Sequence, residues 1–134
     1  MGAINPPLLL GLIVCDTAIR EEGTHKLSLI GTFNGLFASR FPCVHPFMAV
    51  YVALTDGRGL VPCSLRLAEI ETNKEVMCLK GQVKFDDPRG VAEMVFPLHG
   101  VRFERAGEYA IEFVADGEML GTRRLRVQPA PPPP

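Results

Sequence analysis

Cys43 and His45 are the first residues whose types and spacing could do chemistry, because thiolate and imidazole both ligate zinc. Residues two apart on a strand point to the same side, so both could face one ion. A tetrahedral site needs two further ligands. These would have to come from Cys63, Cys78, His25 or His99. No CxxC motif occurs. We therefore predict no metal site and interpret Cys43 and His45 as loop residues flanked by prolines.

Acids, nucleophiles and glycines give no pattern that indicates catalysis. Asp86 and Asp87 are adjacent, so on a strand they would face opposite ways, and the Pro88 that follows is typical of a turn. The sequence contains no GxSxG elbow and no glycine-rich phosphate loop before a helix. We predict no catalytic residue and no cofactor. An enzyme assembled from loops around the histidines, with or without a metal, stays an alternative.

The most prominent polar cluster directly follows a very apolar stretch. It consists of Asp16, Arg20, Glu21 and Glu22. One interpretation is structural, with Arg20 paired to Asp16 at a sheet corner. The other is a partner-binding patch at one end of the domain, where loops usually carry recognition. The loop residues Arg40, Asp56 and Arg58 would then join this candidate interaction patch.

Composition limits the classes of protein in which such a patch could act. The 134 residues are 47% hydrophobic and 22% charged, with a formal net charge of −1, which fits one globular domain. Nucleic-acid binders usually show a basic excess or stripe, so we expect no nucleic-acid partner. Residues 8–14, LLLGLIV, are too few to span a bilayer, and no basic residue precedes them. We expect a buried strand there, no membrane contact, and reduced cysteines in the cytoplasm.

Short runs of β-branched, aliphatic and aromatic residues alternate with turn residues along the whole chain. We predict strands at 8–16, 25–34, 47–55, 63–71, 76–86, 91–99, 107–116 and 119–127, with a further short strand at 36–40. The alternation is clearest where Tyr109, Ile111 and Phe113 share one face. The predicted fold is therefore an all-β, two-sheet antiparallel sandwich of 8–9 strands.

Individual residues refine this fold. Asp116-Gly117 favours a tight type I′ hairpin, and Pro97 implies an edge strand or a bulge. Tyr109 stands near the start of the penultimate strand, where immunoglobulin-like domains often form a tyrosine corner. An immunoglobulin-like sandwich is the preferred prediction, with a jelly-roll-like sandwich as the alternative. Residues 15–22 could form at most a single helical turn.

The chain is predicted to divide into one domain, residues 1–128, and a proline-rich disordered tail, residues 129–134. Proline has no amide donor, so such a run projects as an extended, solvated segment. Arg126, Pro129 and Pro132 have the RxxPxxP spacing that Src-homology-3-type grooves accept. Because Arg126 falls at the end of a strand, a bare solvated tail is the preferred interpretation.

Several short motifs resemble a family of small bacterial domains of unknown function. They are Cys15-Asp16, Ile19–Thr24, Lys26–Gly31, Phe41-Pro42, His45-Pro46, Val52–Gly57, Gly107–Tyr109 and Ala115–Gly117. The resemblance covers roughly residues 10–127. It implies a bacterial, non-secreted β domain and brings no catalytic residue.

The sequence leaves three functions open. We expect a non-catalytic protein-interaction or structural module, binding an unknown protein partner or forming a homodimer through its edge strands. A small-ligand or carbohydrate-binding domain is an alternative, although tryptophan is absent and only Tyr51 and Tyr109 could serve as sugar platforms. The loop-assembled enzyme is the other alternative.

Overall fold

A computed structural model describes residues 6–131 and folds them into nine strands. The strands are β1 (Leu8–Arg20), β2 (Leu27–Thr32), β3 (Gly35–Ala38), β4 (Cys43–Thr55), β5 (Gly59–Glu69), β6 (Glu75–Phe85), β7 (Val91–Phe103), β8 (Gly107–Ala115) and β9 (Glu118–Pro129). The described part of the chain contains no helix that could cross a membrane. The predicted all-β sandwich is confirmed.

The strands form two sheets, with the orders β2-β1-β4-β7 and β3-β9-β8-β5-β6. Leaving aside β2 and β3, the sheets hold β1, β4 and β7 on one side and β9, β8, β5 and β6 on the other. A variable-type immunoglobulin domain divides its A, B, E and its G, F, C, C′ strands in the same way, so the topology fits the immunoglobulin-like prediction rather than a jelly roll.

The prediction of purely antiparallel sheets is wrong at one pair, because β3 runs parallel to β9. After β2 the chain leaves the four-stranded sheet, where the Phe33 amide still donates to the Val14 carbonyl. It then joins the other sheet at Asn34, whose carbonyl accepts from the Arg126 amide. Since the chain crosses sheets here without reversing in a hairpin, β3 meets β9 in the same direction.

The core lies between the sheets, on the faces that the alternation predicts. Tyr109, Ile111 and Phe113 of β8 are buried, as are Phe96 and Leu98 of β7. The Asp116-Gly117 hairpin is also confirmed, because both residues have positive φ, as a type I′ turn requires. Pro97 lies in β7, an edge strand of its sheet, where its missing donor costs no ladder bond.

Four strands extend beyond their predicted bounds, and the possible helical turn at 15–22 is not formed. β1 continues to Arg20 because residues 15–20 pair with β2, for example Thr17 opposite Ile30. β4 starts at Cys43 and β7 ends at Phe103, and these two residues pair with each other. At the C-terminus β9 runs to Pro129, which pairs with Ala38, while the predicted tail beyond 131 lies outside the described residues.

The tyrosine corner is present. The Tyr109 hydroxyl donates a hydrogen bond of 2.7 Å to the Arg105 carbonyl, four residues upstream. Its ring packs edge-on against Phe103, with ring centroids 4.9 Å apart. The corner fixes the β7–β8 connection to the core.

We expect Tyr109→Phe to lower the free energy of unfolding by about 1 kcal/mol, because the Arg105 carbonyl loses its partner while the ring stays packed. Urea unfolding monitored by circular dichroism measures this. Tyr51→Phe is the control and should cost less, because the Glu93 carboxylate that Tyr51 contacts is exposed and can bond to water. An unchanged midpoint for Tyr109→Phe would contradict the structural role of the corner.

Candidate functional site

Asp16 and Arg20 do not form the ion pair that the structural interpretation predicted. Both lie on β1, where residues four apart are separated by roughly 13 Å. The Arg20 guanidinium instead donates to the His25 carbonyl at 2.9 Å, within the β1–β2 turn. The Asp16 carboxylate lies over Gly31 of the neighbouring strand, at a position where a Cβ atom would collide with it. The cluster therefore stabilises a hairpin locally, without a salt bridge between these two side chains.

The seven residues of the candidate interaction patch lie at two opposite ends of the sandwich. Arg20, Glu21 and Glu22 are at the tip of the β1–β2 hairpin. Asp56 and Arg58 follow β4 at the far end, where they line a hollow with Pro6, Pro7, Leu8 and Pro88. Arg40 precedes β4, whose 13 residues span roughly 43 Å. No single partner surface can include all seven.

Cys43 and His45 do share a side of β4, since they pair with the buried residues Phe103 and Val101 of β7. The structure brings no third ligand to them. Within residues 6–131 no group of three or more His, Cys, Asp or Glu side chains is positioned to hold a metal. All four cysteines are free thiols. Burial raises the pKa of the Cys63 thiol to about 11, which makes it a poor nucleophile.

The feature that the sequence analysis missed is the outer face of the four-stranded sheet. Residues opposite each other across adjacent strands point to the same side, so the register defines this face in rows. Two central rows are Ile13–Tyr51–Val95 and Cys15–Ala49–Pro97. Around them lie further apolar side chains, namely Leu8, Ile19, Ile30, Val44, Phe47 and Val91. We call these two rows and their apolar surround the apolar face.

Within residues 6–131, five of the ten large hydrophobic side chains that are exposed belong to the apolar face. They are Leu8, Ile19, Ile30, Val44 and Val91, each with 46–59% of its surface exposed. An antiparallel sheet that faces water normally presents polar residues at these positions. Contiguous exposed apolar surface marks interaction sites in soluble proteins. Here the outer face of the four-stranded sheet carries exposed apolar side chains around a central row in which Cys15 and Ala49 are at most 1% exposed.

One carboxylate lies on the β1, β4 and β7 part of the apolar face, and it is already hydrogen-bonded. Glu93 accepts a hydrogen bond from the Tyr51 hydroxyl. Burial, followed by this contact, raises the pKa of Tyr51 to about 12, so the phenol stays protonated as a donor. At the other end of the face the His99 ring packs on Phe47, with centroids 4.8 Å apart. Charge is thus confined to the β7 margin.

The outer face of the five-stranded sheet has the opposite character. Arg66 bonds to Glu112 at 2.9 Å and to Glu75 at 3.1 Å across three strands. Arg126 bonds to Glu108 at 2.8 Å. These ion pairs, partly buried at Arg66 and Glu112 and more exposed at Arg126, belong to an ordinary water-facing sheet. The two outer faces of one sandwich therefore differ, and only the four-stranded sheet presents apolar rows.

The residue pattern contained a signal for the apolar face. Strands buried on both sides have near-continuous apolar runs instead of alternating ones. β1 carries LLLGLIVC and β4 carries FMAVYVAL. These runs contain more apolar residues than the core-facing side of a strand alone requires. They therefore indicate that the other side of the strand is covered as well.

Comparisons with known proteins identify the family and no activity. No curated protein matches the sequence. Among solved structures, the chain is similar to Pseudomonas fluorescens alkylpurine DNA glycosylase AlkC bound to DNA containing an abasic site analog, with 11% identity and a TM-score of 0.46. That similarity covers 71% of this chain and 28% of the glycosylase. A family model matches residues 10–128, and the chain belongs to this family of unknown function, DUF6941.

Proposed function

We propose that this domain is a non-catalytic protein-interaction module that contacts its partner through the apolar face, and that the partner is a second copy of the chain. The observation that carries the proposal is the apolar outer surface of the four-stranded sheet, beside a charged outer surface on the other sheet. A reducing, cytoplasmic location belongs to the same proposal, supported by the four free thiols.

The size of the apolar face fits a dimer interface. Three strands of 13 residues, with ordinary strand spacing and rise, cover roughly 600 Å² in plan, and β2 adds about 100 Å². A standard stable interface buries about 800 Å² per partner. Side-chain relief increases the accessible area above the plan area, so one face supplies enough surface.

The charges at the β7 margin favour a two-fold arrangement. Glu93 lies towards the start of β7, whereas His99 and Arg102 lie towards its end. A two-fold axis near Val95 and Pro97 would place Glu93 of each copy opposite His99 and Arg102 of the other. Closed homodimers use such self-complementary surfaces.

Pairing of edge strands, the dimer expected from sequence, has weaker support. Pro97 interrupts the donor pattern of β7 at one edge. At the edge of the other sheet, β6 carries Lys80 and Lys84, and lysines on edge strands commonly prevent pairing. Face-to-face packing of the four-stranded sheets avoids both obstacles.

Val95→Glu tests the proposal, because it places a carboxylate in the middle of the apolar face. The side chain is half-buried in the single copy, so the fold should tolerate the change. Two like charges would meet at the two-fold axis, and we expect the dimer dissociation constant to rise at least ~100-fold. Sedimentation equilibrium over a range of protein concentrations measures it.

Val114→Glu is the matched control, since Val114 is also half-buried but lies on the outer face of the five-stranded sheet. It should leave the dimer intact. A wild-type chain that sediments as a monomer up to millimolar concentration would overturn the proposal. Equal dissociation by both variants would place the contact elsewhere.

A further inference from the structure

A cleft opens between β3 and the first residues of β4, on the side of the sandwich away from Asp56 and Arg58. It encloses about 420 Å³, within the range of small-molecule sites. Its walls come from the β3 segment, including Leu36 and Phe37, and from the 39–45 connection and strand start. The cleft shares no residue with the two central rows of the apolar face.

The floor of the cleft is apolar because it is the end of the core. Phe103 and Val127 line it, and their side chains are at most 1% exposed overall. Leu36 packs against the core from the β3 side. Because Phe103 and Val127 are already covered, the apolar surface open to a ligand is on the walls, where Phe37 is 65% and Val44 57% exposed. Burying that surface favours an aliphatic or aromatic group.

The rim carries polar side chains that the fold leaves unused. Ser39, Arg40 and His45 line the cleft, and none of their side chains hydrogen-bonds to another described residue. Most other arginines in the described chain are engaged; for example Arg66 and Arg105 bind carboxylates. No Asp or Glu lines the cleft. An anion would therefore find a guanidinium and a hydroxyl donor with no competing internal acid.

We propose that this cleft binds a small amphipathic anion, with its carboxylate or phosphate-type headgroup on Arg40 and Ser39 and its apolar part against the exposed walls at Phe37 and Val44. Charge complementarity at the rim and exposed apolar walls, in a cleft of sufficient volume, support this assignment. The anion-binding residues lie outside the apolar face, and Val44 is the residue that borders both surfaces. Anion binding here gives the small-ligand function a specific site and a specific ligand chemistry.

Octanoate is the probe, and titration into the full chain by calorimetry and by amide chemical-shift mapping is the measurement. We expect saturable binding with shifts at residues 36–45. Octanamide, which lacks the charge, should bind about tenfold more weakly or worse. Shortening the chain to butanoate should weaken binding about threefold or more for each methylene removed, because less apolar surface is buried against the walls.

Arg40→Gln should weaken octanoate binding about tenfold or more without changing thermal stability, because Arg40 is exposed and its side chain forms no hydrogen bond or ion pair with another described residue. Arg58→Gln is the matched control: Arg58 is an exposed loop arginine at the opposite end and should have no effect. Equal binding of octanoate and octanamide, or an unaffected Arg40→Gln, would overturn the proposal. Binding to vesicles of anionic lipid without binding to monomeric octanoate would also overturn it, since the ligand would then be a membrane surface.

Discussion

Phe103→Ala is expected to lower the free energy of unfolding by about 3–5 kcal/mol, a large part of the total stability of a domain this size. Phe103 is fully buried at the end of β7, and its ring packs edge-on against Tyr109 at 4.9 Å. Removing the ring leaves a cavity beside the tyrosine corner and takes away the floor of the cleft. Urea unfolding, with the midpoint and slope both fitted, measures the loss.

Two further variants separate packing from simple loss of an aromatic ring. Phe103→Leu keeps most of the volume and should cost less than about 1.5 kcal/mol. Phe37→Ala removes a ring that is 65% exposed and should stay within about 0.5 kcal/mol of wild type. If Phe103→Ala lowered the free energy of unfolding no more than Phe37→Ala does, the result would contradict the packing of Phe103 between the core and the tyrosine corner.

The strands and the late hairpin could be predicted because their signals are local. In β8 the side chains alternate strictly between core and surface, so Tyr109 and Phe113 reveal their own face. The Asp116-Gly117 pair determines its turn through backbone conformation alone. Tyr109 could be assigned to the corner because its acceptor, the Arg105 carbonyl, is only four residues away.

Strand ends and sheet order depend on partners distant in sequence, and here sequence reasoning was less accurate. The start of β4 at Cys43 is stabilised by pairing with Phe103, 60 residues later, and Pro46 obscures the local pattern. The direction of β3 depends on its pairing with β9. Neither partner can be identified from local alternation.

The residues of the candidate site also depend on pairing between segments that are distant in sequence. Charged residues that looked like one patch lie at two ends, because strand length and sheet order decide which loops meet. The apolar run at residues 8–14 was predicted to be a buried strand, although alternation places half of that run on the outer face of the sheet. Glu69 was also missed, since its partner Arg105 lies 36 residues away.

Glu69 is the second residue with a large expected effect, and that effect should depend on pH. Its side chain is only 6% exposed at the end of β5, and it accepts hydrogen bonds from Arg105 at 2.7 and 2.8 Å and from the Thr72 hydroxyl at 2.6 Å. These bonds, with Arg105 first, lower the pKa of Glu69 to about 2. In the unfolded chain the pKa of a glutamate is ~4.3. The ionised carboxylate therefore stabilises the fold above pH ~5, and this stabilisation is lost as the pH falls towards 2.

Glu69→Gln removes the charge and keeps the shape, so it should be clearly less stable than wild type at pH 7. The gap between their unfolding free energies should narrow progressively from pH ~5 to pH ~2, because the wild-type carboxyl becomes protonated as well. Chemical unfolding at a series of pH values measures it. Glu104→Gln is the control: Glu104 pairs with Arg102 at 2.8 Å, but both side chains are more than half exposed, so the change should be small at every pH.

A gap that stays constant with pH would mean that Glu69 contributes through packing rather than through its charge. A difference in unfolding free energy that narrows at low pH would support a corner in which Arg105 is held twice, through its carbonyl and through its guanidinium. The Arg105 carbonyl accepts from Tyr109, while its guanidinium donates to Glu69. Tyr109→Phe and Glu69→Gln would then be coupled, and their combined cost should differ from the sum of the single changes. The β5–β6 and β7–β8 connections would thus be joined through Arg105, close to where the sandwich presents its cleft.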